Sequence, residues 1–175
     1  MRIEILRPAR SAALGLALIG GAPALAEPLK IEGVGISRDI DCDGEDVGVY
    51  GAENRIALTG NCGRVVVHGA DHEVTFERAR DLLVSGSKLK VRGGEAASLS
   101  VEIDQNEVEA TMKPAEGASE VRISGADQKV TLTLAGPVTL GVHGADNEVV
   151  WSLAAGAPKP RISSSGAANA VKQKK

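Results

Sequence analysis

Aromatic side chains are almost missing, with one Trp, one Tyr and one Phe in 175 residues. Sugar rings and bases are commonly held by stacking on aromatic faces, so a stacking platform for either has little material here. Cysteine is nearly as scarce. Cys42 and Cys62 are the whole supply, too few for a cysteine zinc site and wrongly spaced for a Cys-x-x-Cys redox motif. Also lacking is a run of about 20 apolar residues, the length that crosses a bilayer; the apolar run Ser11 to Gly21 is too short. Nor is there an excess of positive charge. The formal net charge is −3 for the chain and −5 for residues 27–175, which argues against nucleic acid or an anionic membrane as partner.

What is present first is a secretory leader: Arg2, Arg7 and Arg10, then the apolar run, then Ala24-Leu25-Ala26. Cleavage is expected after Ala26. No cysteine stands at that point to carry a lipid, and Arg7 and Arg10 are not an adjacent pair, so general export of an unfolded chain is the simpler route. These features place the protein in the periplasm or outside the cell. The expected layout is a signal peptide over residues 1–26, one repeat domain over 27–171 and a basic tail over 172–175. In an oxidising compartment Cys42 and Cys62 read as a structural disulfide, the alternative being two buried thiols.

The mature part repeats one short phrase: two alternating apolar residues, Gly-Ala, an acidic residue, an amide or its substitute, then two more alternating apolar residues. It centres on Gly51 and Asn54, on Gly69 and His72, on Gly125 and Gln128, and on Gly144 and Asn147. Degenerate versions stand at Gly86, at Ile103 and at Gly166 with Asn169, giving seven units with steps of 18, 17, 17, 22, 19 and 22 residues. Alternation of period two predicts strands, and glycine followed by Asp or Asn predicts bends that tolerate positive φ. So short a unit cannot bury its apolar face alone, and stacking one on the next in parallel does so. The predicted fold is therefore all-β: a single-stranded, right-handed parallel β-helix of about seven short coils, rising about 4.8 Å per coil.

The residue after each amide position supports this reading. Arg55, Glu73, a lysine (Lys88 or Lys90), Glu107, Lys129 and Glu148 alternate in sign. In-register stacking makes of them one outward column with opposite charges adjacent, whereas an antiparallel sandwich predicts no such order. Cys42 and Cys62, 20 residues apart, are about one coil apart, which suits a disulfide between neighbouring coils.

The motifs Asp41-Cys42-Asp43-Gly44, Gly51 with Asn54, Gly60-Asn61-Cys62, Val149-x-Trp151, Pro160 and Gly166 with Asn169 together resemble the secreted bacterial family catalogued as domain of unknown function 3060. The resemblance runs over residues 41 to 171, and the chain departs from the pattern where His72 and Gln128 replace the usual Asn. It implies an exported all-β repeat domain and carries over no catalytic residue.

Other candidate sites are thin. Asp39, Asp41, Asp43 and Gly44 copy the opening of a calcium loop, but Tyr50 stands where the closing Glu belongs. His68 and His143 occupy equivalent places four coils apart, about 19 Å by the rise per coil, too far to share a metal; with His72 they read as outward turn residues. The recurring Glu53, Asp71, Asp127 and Asp146 fall where bends use Asx-type hydrogen bonds. Phe76 and Trp151 fall at inward positions, and no cofactor motif or nucleophile motif is present. The expectation is a non-catalytic structural or binding module whose partner is a cell-envelope protein or glycan. The alternative is a small carbohydrate-active β-helix enzyme, a lyase or hydrolase, with its groove near the longer loops at Lys113 to Glu120 and Gly156 to Lys159.

Overall fold

The computed structural model describes residues 27–174, and the expected leader lies outside them. The described chain forms thirteen strands and no helix, so no helix among these residues is long and apolar enough to cross a membrane. Every strand pairing is parallel. Together they make a parallel β-solenoid of eight coils, each of two strand segments.

The first coil is β1 (Leu29–Val34) and β2 (Ser37–Asp41), and the second is β3 (Val47–Ala52) and the first half of β4 (Arg55–Ala70). The next three coils are the second half of β4 with the first half of β5 (Glu73–Ser87), the second half of β5 with the first half of β6 (Lys90–Asp104), and the second half of β6 with β7 (Glu107–Met112), and β4, β5 and β6 each run through the wide corner without a break. The last three coils are β8 (Ser119–Ala126) with β9 (Lys129–Leu134), β10 (Val138–Ala145) with β11 (Glu148–Leu153), and β12 (Arg161–Ala167) with β13 (Ala170–Gln173). The sequence reading was one coil short. The missing one centres on Gly33, which pairs with Gly51; its bend reads Gly33-Val34-Gly35-Ile36, without the acidic and amide residues that mark the others.

Branched aliphatics seal the axis. Val49, Val67, Val84, Val101, Ile123 and Val142 stack as one fully buried column. Such residues suit a pleated, buried surface, and each contributes about 1.5–3 kcal/mol by leaving water. Phe76 and Trp151 point inward as expected. Phe76 has room because its neighbour in the next coil is Gly93, where a Cβ would come 2.3 Å from the ring. Cys42 and Cys62 are both buried and form a disulfide with Cα atoms 4.9 Å apart, tying the first coil to the second. This is consistent with an extracytoplasmic protein.

One side of the solenoid is a tight bend repeated eight times. Glu53, Asp71, Lys88, Gln105, Asp127, Asp146 and Ala168 all take left-handed φ values between 54° and 57°. The acidic residues expected to make Asx-type bonds therefore share a backbone conformation, which Asp tolerates better than most. The side-chain hydrogen bonds of the bend come from the next residue instead. Asn106 shows the pattern: its Oδ1 accepts Leu89 N–H of the preceding coil at 3.0 Å, while its Nδ2 donates to Gly86 O and to Glu102 O, each at 2.9 Å. Asn54, Asn147 and Asn169 repeat these three bonds. Gln128 accepts from Asn106 N–H and donates to Ser124 O. The backbone N–H of one rung is thus satisfied by the side chain of the next, and the ladder is buried.

His72 belongs to this ladder. It was expected to face outward, yet it is 1 % exposed. Its Nδ1 accepts Asn54 N–H at 3.1 Å and its Nε2 lies 3.2 Å from His68 O. That pair of bonds selects the neutral ring with the proton on Nε2. Burial holds its pKa below the ordinary 6.5, against the upward pull of the His68 carbonyl and the Asp71 carboxylate. Leu89 occupies the corresponding place in the next coil and breaks the ladder there.

The charge column is in register. Arg55 pairs with Glu73, Glu73 with Lys90, Lys90 with Glu107, Glu107 with Lys129, and Lys129 with Glu148. Lys90, rather than Lys88, is the member from the third unit. Within the column Arg55 and Glu73 make an ion pair at 3.0 Å, whereas Glu107 reaches sideways to Arg92 at 2.8 Å. That hydrogen bond holds Glu107 below the usual carboxylate range, and the charges of Lys90 and Lys129 add to the effect.

Three outcomes follow from this packing. Asn106→Ala removes the three bonds and leaves Leu89 N–H without its acceptor, so it lowers unfolding free energy in denaturant by about 2–3 kcal/mol. His72 is stabilising while neutral: because its folded pKa is depressed, its contribution is full above about pH 6.5 and is lost as pH falls through the lower folded value. The thermal midpoint should therefore drop between about pH 7 and pH 5, and His72→Asn, which keeps the ladder, should flatten that drop. Lys129→Glu sets three carboxylates in succession; its unfolding midpoint should fall more in low salt than in high salt.

Candidate functional site

The bend side is committed to structure, so the outward face of the other strand is the place to look for a site. On that face side chains stand in columns one coil apart. Arg64, Asp81, Ser98 and Glu120 form one such column, and Leu83, Ser100 and Arg122 form the next. The serines are short, and between the longer charged neighbours they leave an open groove of about 530 Å³, with Glu102 at its side. Its floor is rigid because every rung is hydrogen-bonded on both edges.

Asp81, Glu120 and Arg122 of the groove have partners of opposite charge. Asp81 accepts from Arg80 Nε at 2.8 Å and from Ser98 Oγ at 2.7 Å. These bonds, the one from Arg80 first, hold its carboxyl below the usual range, so it is a fixed anion at neutral pH. Arg122 pairs with Glu120, Ser100 Oγ donates to Glu102 at 3.1 Å, and Arg64 N–H donates to Asp46. Asp81 and Glu120 lie two coils apart, about 10 Å along the axis. A retaining glycosidase needs two carboxyls about 5–5.5 Å apart and an inverting one about 6.5–9.5 Å, in each case with one of them a proton donor. The arrangement suits recognition: alternating donors and acceptors on a stiff surface, wide enough for a polar chain.

A second groove, of about 620 Å³, runs along the bend between Lys88, Lys90 and Lys129 on one hand and Asp71, Glu107 and Asp127 on the other. It is the solvent side of the charge column.

The residues singled out from sequence distribute as follows. Gly51, Gly69, Gly125, Gly144 and Gly166 form a glycine column behind the bend; at Gly125 a Cβ would lie 1.8 Å from Ile103 O of the coil before. Asn54, His72, Gln128, Asn147 and Asn169 are the ladder, and Cys42 and Cys62 the disulfide. His68 and His143 share one outward column four coils apart; His68 stands beside Tyr50, and His143 Nδ1 lies 2.7 Å from Ser165 Oγ. Asp43 N–H donates to Asp41 Oδ1 at 3.3 Å, and among the described residues no three His, Cys, Asp or Glu side chains gather as metal ligands. The loops over Lys113 to Glu120 and Gly156 to Lys159 contribute to the Asp81 groove only through Glu120. Sequence reasoning missed Arg64, Asp81 and Arg122. Their signal was positional, since Arg64 and Asp81 hold one place in successive coils and Arg122 stands in the adjacent column, but nothing in residue type marked them.

No curated protein and no solved structure matches this chain. Residues 49–106, about a third of the chain and spanning the coils from β3 to the Asn106 bend, match the family described as protein of unknown function (DUF3060), the family that the motifs resemble.

Proposed function

We propose that this protein acts outside the cytoplasm, in the periplasm or beyond it, as a non-catalytic structural or binding module built on a right-handed β-helix. The groove around Asp81 and Arg122 is its recognition surface, and the ligand is a polar, extended one: a glycan strand or a peptide segment of a cell-envelope protein. One observation carries this reading. Asp81 is held by Arg80 and Ser98 as a hydrogen-bonding anion, below the usual carboxylate range, and Glu120 is paired with Arg122. Scarcity of aromatics turns recognition toward charge and hydroxyl contacts, so binding is salt-sensitive.

The test is a glycan array and a set of envelope peptides probed with the purified protein, beside an assay for polysaccharide cleavage. Binding without turnover is expected, weakened about tenfold or more by Arg122→Ala, which removes a charged contact, with the thermal midpoint little changed. Cleavage of any glycan, abolished by Asp81→Asn or Glu120→Gln, would replace this reading with the enzyme.

A further inference from the structure

The two rims of the solenoid are complementary to each other. The inward column that begins at Leu29 passes through Val47 and Val65 and ends at Leu140 and Ile162. Its inner members are at most 2 % exposed, whereas Leu29 is 39 % and Ile162 44 % exposed. Strand β1 pairs only with β3, and β12 only with β10, so among the described residues each presents a row of unpaired backbone groups. The rims also differ in charge. Residues 27–46 hold seven carboxylates against Lys30 and Arg38, while residues 155–175 hold five cations and no Asp or Glu.

The internal register dictates how such rims meet. If β12–β13 of one chain is followed by β1–β2 of another, with the step used between all other coils, Ile162 comes onto Leu29 and Gly166 onto Gly33. Each later glycine of that column faces the carbonyl oxygen of the coil before it, where a Cβ would sit about 2 Å away. At Gly33 the tip of the Ile36 side chain lies 2.9 Å from where a Cβ would stand, a flexible end that turns aside to admit a carbonyl from another chain. On the second strand Lys172 comes opposite Asp39, since both lie in the column through Ala57, Thr75 and Val150. Lys174 follows toward the Asp41–Asp43 turn. The Asn ladder breaks at the junction because Ile36 offers no acceptor, as Leu89 already breaks it inside the chain.

We propose that this protein associates head to tail with a second copy of itself, the basic β12–β13 rim docking on the acidic β1–β2 rim so that the parallel sheet continues across the junction. The contact is heterologous and does not close on itself, so it extends into chains of subunits along the solenoid axis. Polar residues in the apolar columns at the rims, Ser164 below Val142 and Gln173 below Trp151, keep single molecules soluble and the association reversible. The surface used is separate from the groove, so either conclusion stands without the other.

The test is sedimentation of the purified protein over a concentration series, at low and high salt, with two charge-reversed variants. Weight-average mass should rise with concentration and fall with added salt. Lys172→Glu/Lys174→Glu sets carboxylates against Asp39 and Asp41 at the junction, and Asp39→Lys/Asp41→Lys sets lysines against Lys172 and Lys174. Each variant alone should stay monomeric while keeping its circular dichroism, and an equimolar mixture should associate into alternating chains, the reversed rims pairing at one junction and the unaltered rims at the next. A mass independent of concentration, as when residues 1–26 or another chain segment covers a rim, overturns the proposal. So does self-association of either variant as strong as that of the unaltered protein, which would mean that like rims pair, and so does failure of the mixture to associate.

Discussion

The structure depends on the hydrogen bond from a backbone N–H at one bend to the side chain one coil later. A parallel solenoid must turn its chain sharply inside a dry core, and a bend leaves backbone groups that no sheet neighbour can satisfy. Asn answers with a carbonyl oxygen that takes the orphan N–H and an amide nitrogen that feeds two carbonyls. Because donor and acceptor lie in different coils, the bond fixes register as well as satisfying polarity. A slip by one residue would turn every Val and Ile outward and would empty the ladder at the same time.

Much of this was legible from the chain alone. Glycine spacing revealed the coil, and the alternating charges from Arg55 to Glu148 revealed that coils stack in parallel, since such order has no use in other packings. The disulfide between neighbouring coils followed from the same count. Three features were not legible, each for a physical reason. The first coil lacks the amide that marks a bend, so Gly33 carried no visible repeat. His72 looked like a surface residue because its ordinary chemistry is polar; only the geometry of the bend shows that its ring nitrogens imitate an amide, one accepting and one donating. The groove escaped notice because it is made by what is small, Ser98 and Ser100, between residues whose types are common on any surface.

The proposed recognition surface lies on the part of the coil that the ladder does not use. The bend consumes its polar side chains in holding the fold, whereas the face around Asp81 and Arg122 is free to vary at each rung without touching the axis. A ligand there would meet a rigid ruled surface with one side chain every coil, in which affinity grows with the number of rungs engaged.

The span from each glycine to its ladder residue is three residues in every coil, Gly33 to Ile36 as much as Gly166 to Asn169. The return path differs, from 14 residues between His72 and Gly86 to 19 between Asn106 and Gly125. All variation in length therefore gathers along the wide corner, opposite a spine that admits none. That asymmetry makes the corner the seam where new loops can be inserted, so a lineage building on this scaffold would acquire new surface there while its spine stayed fixed.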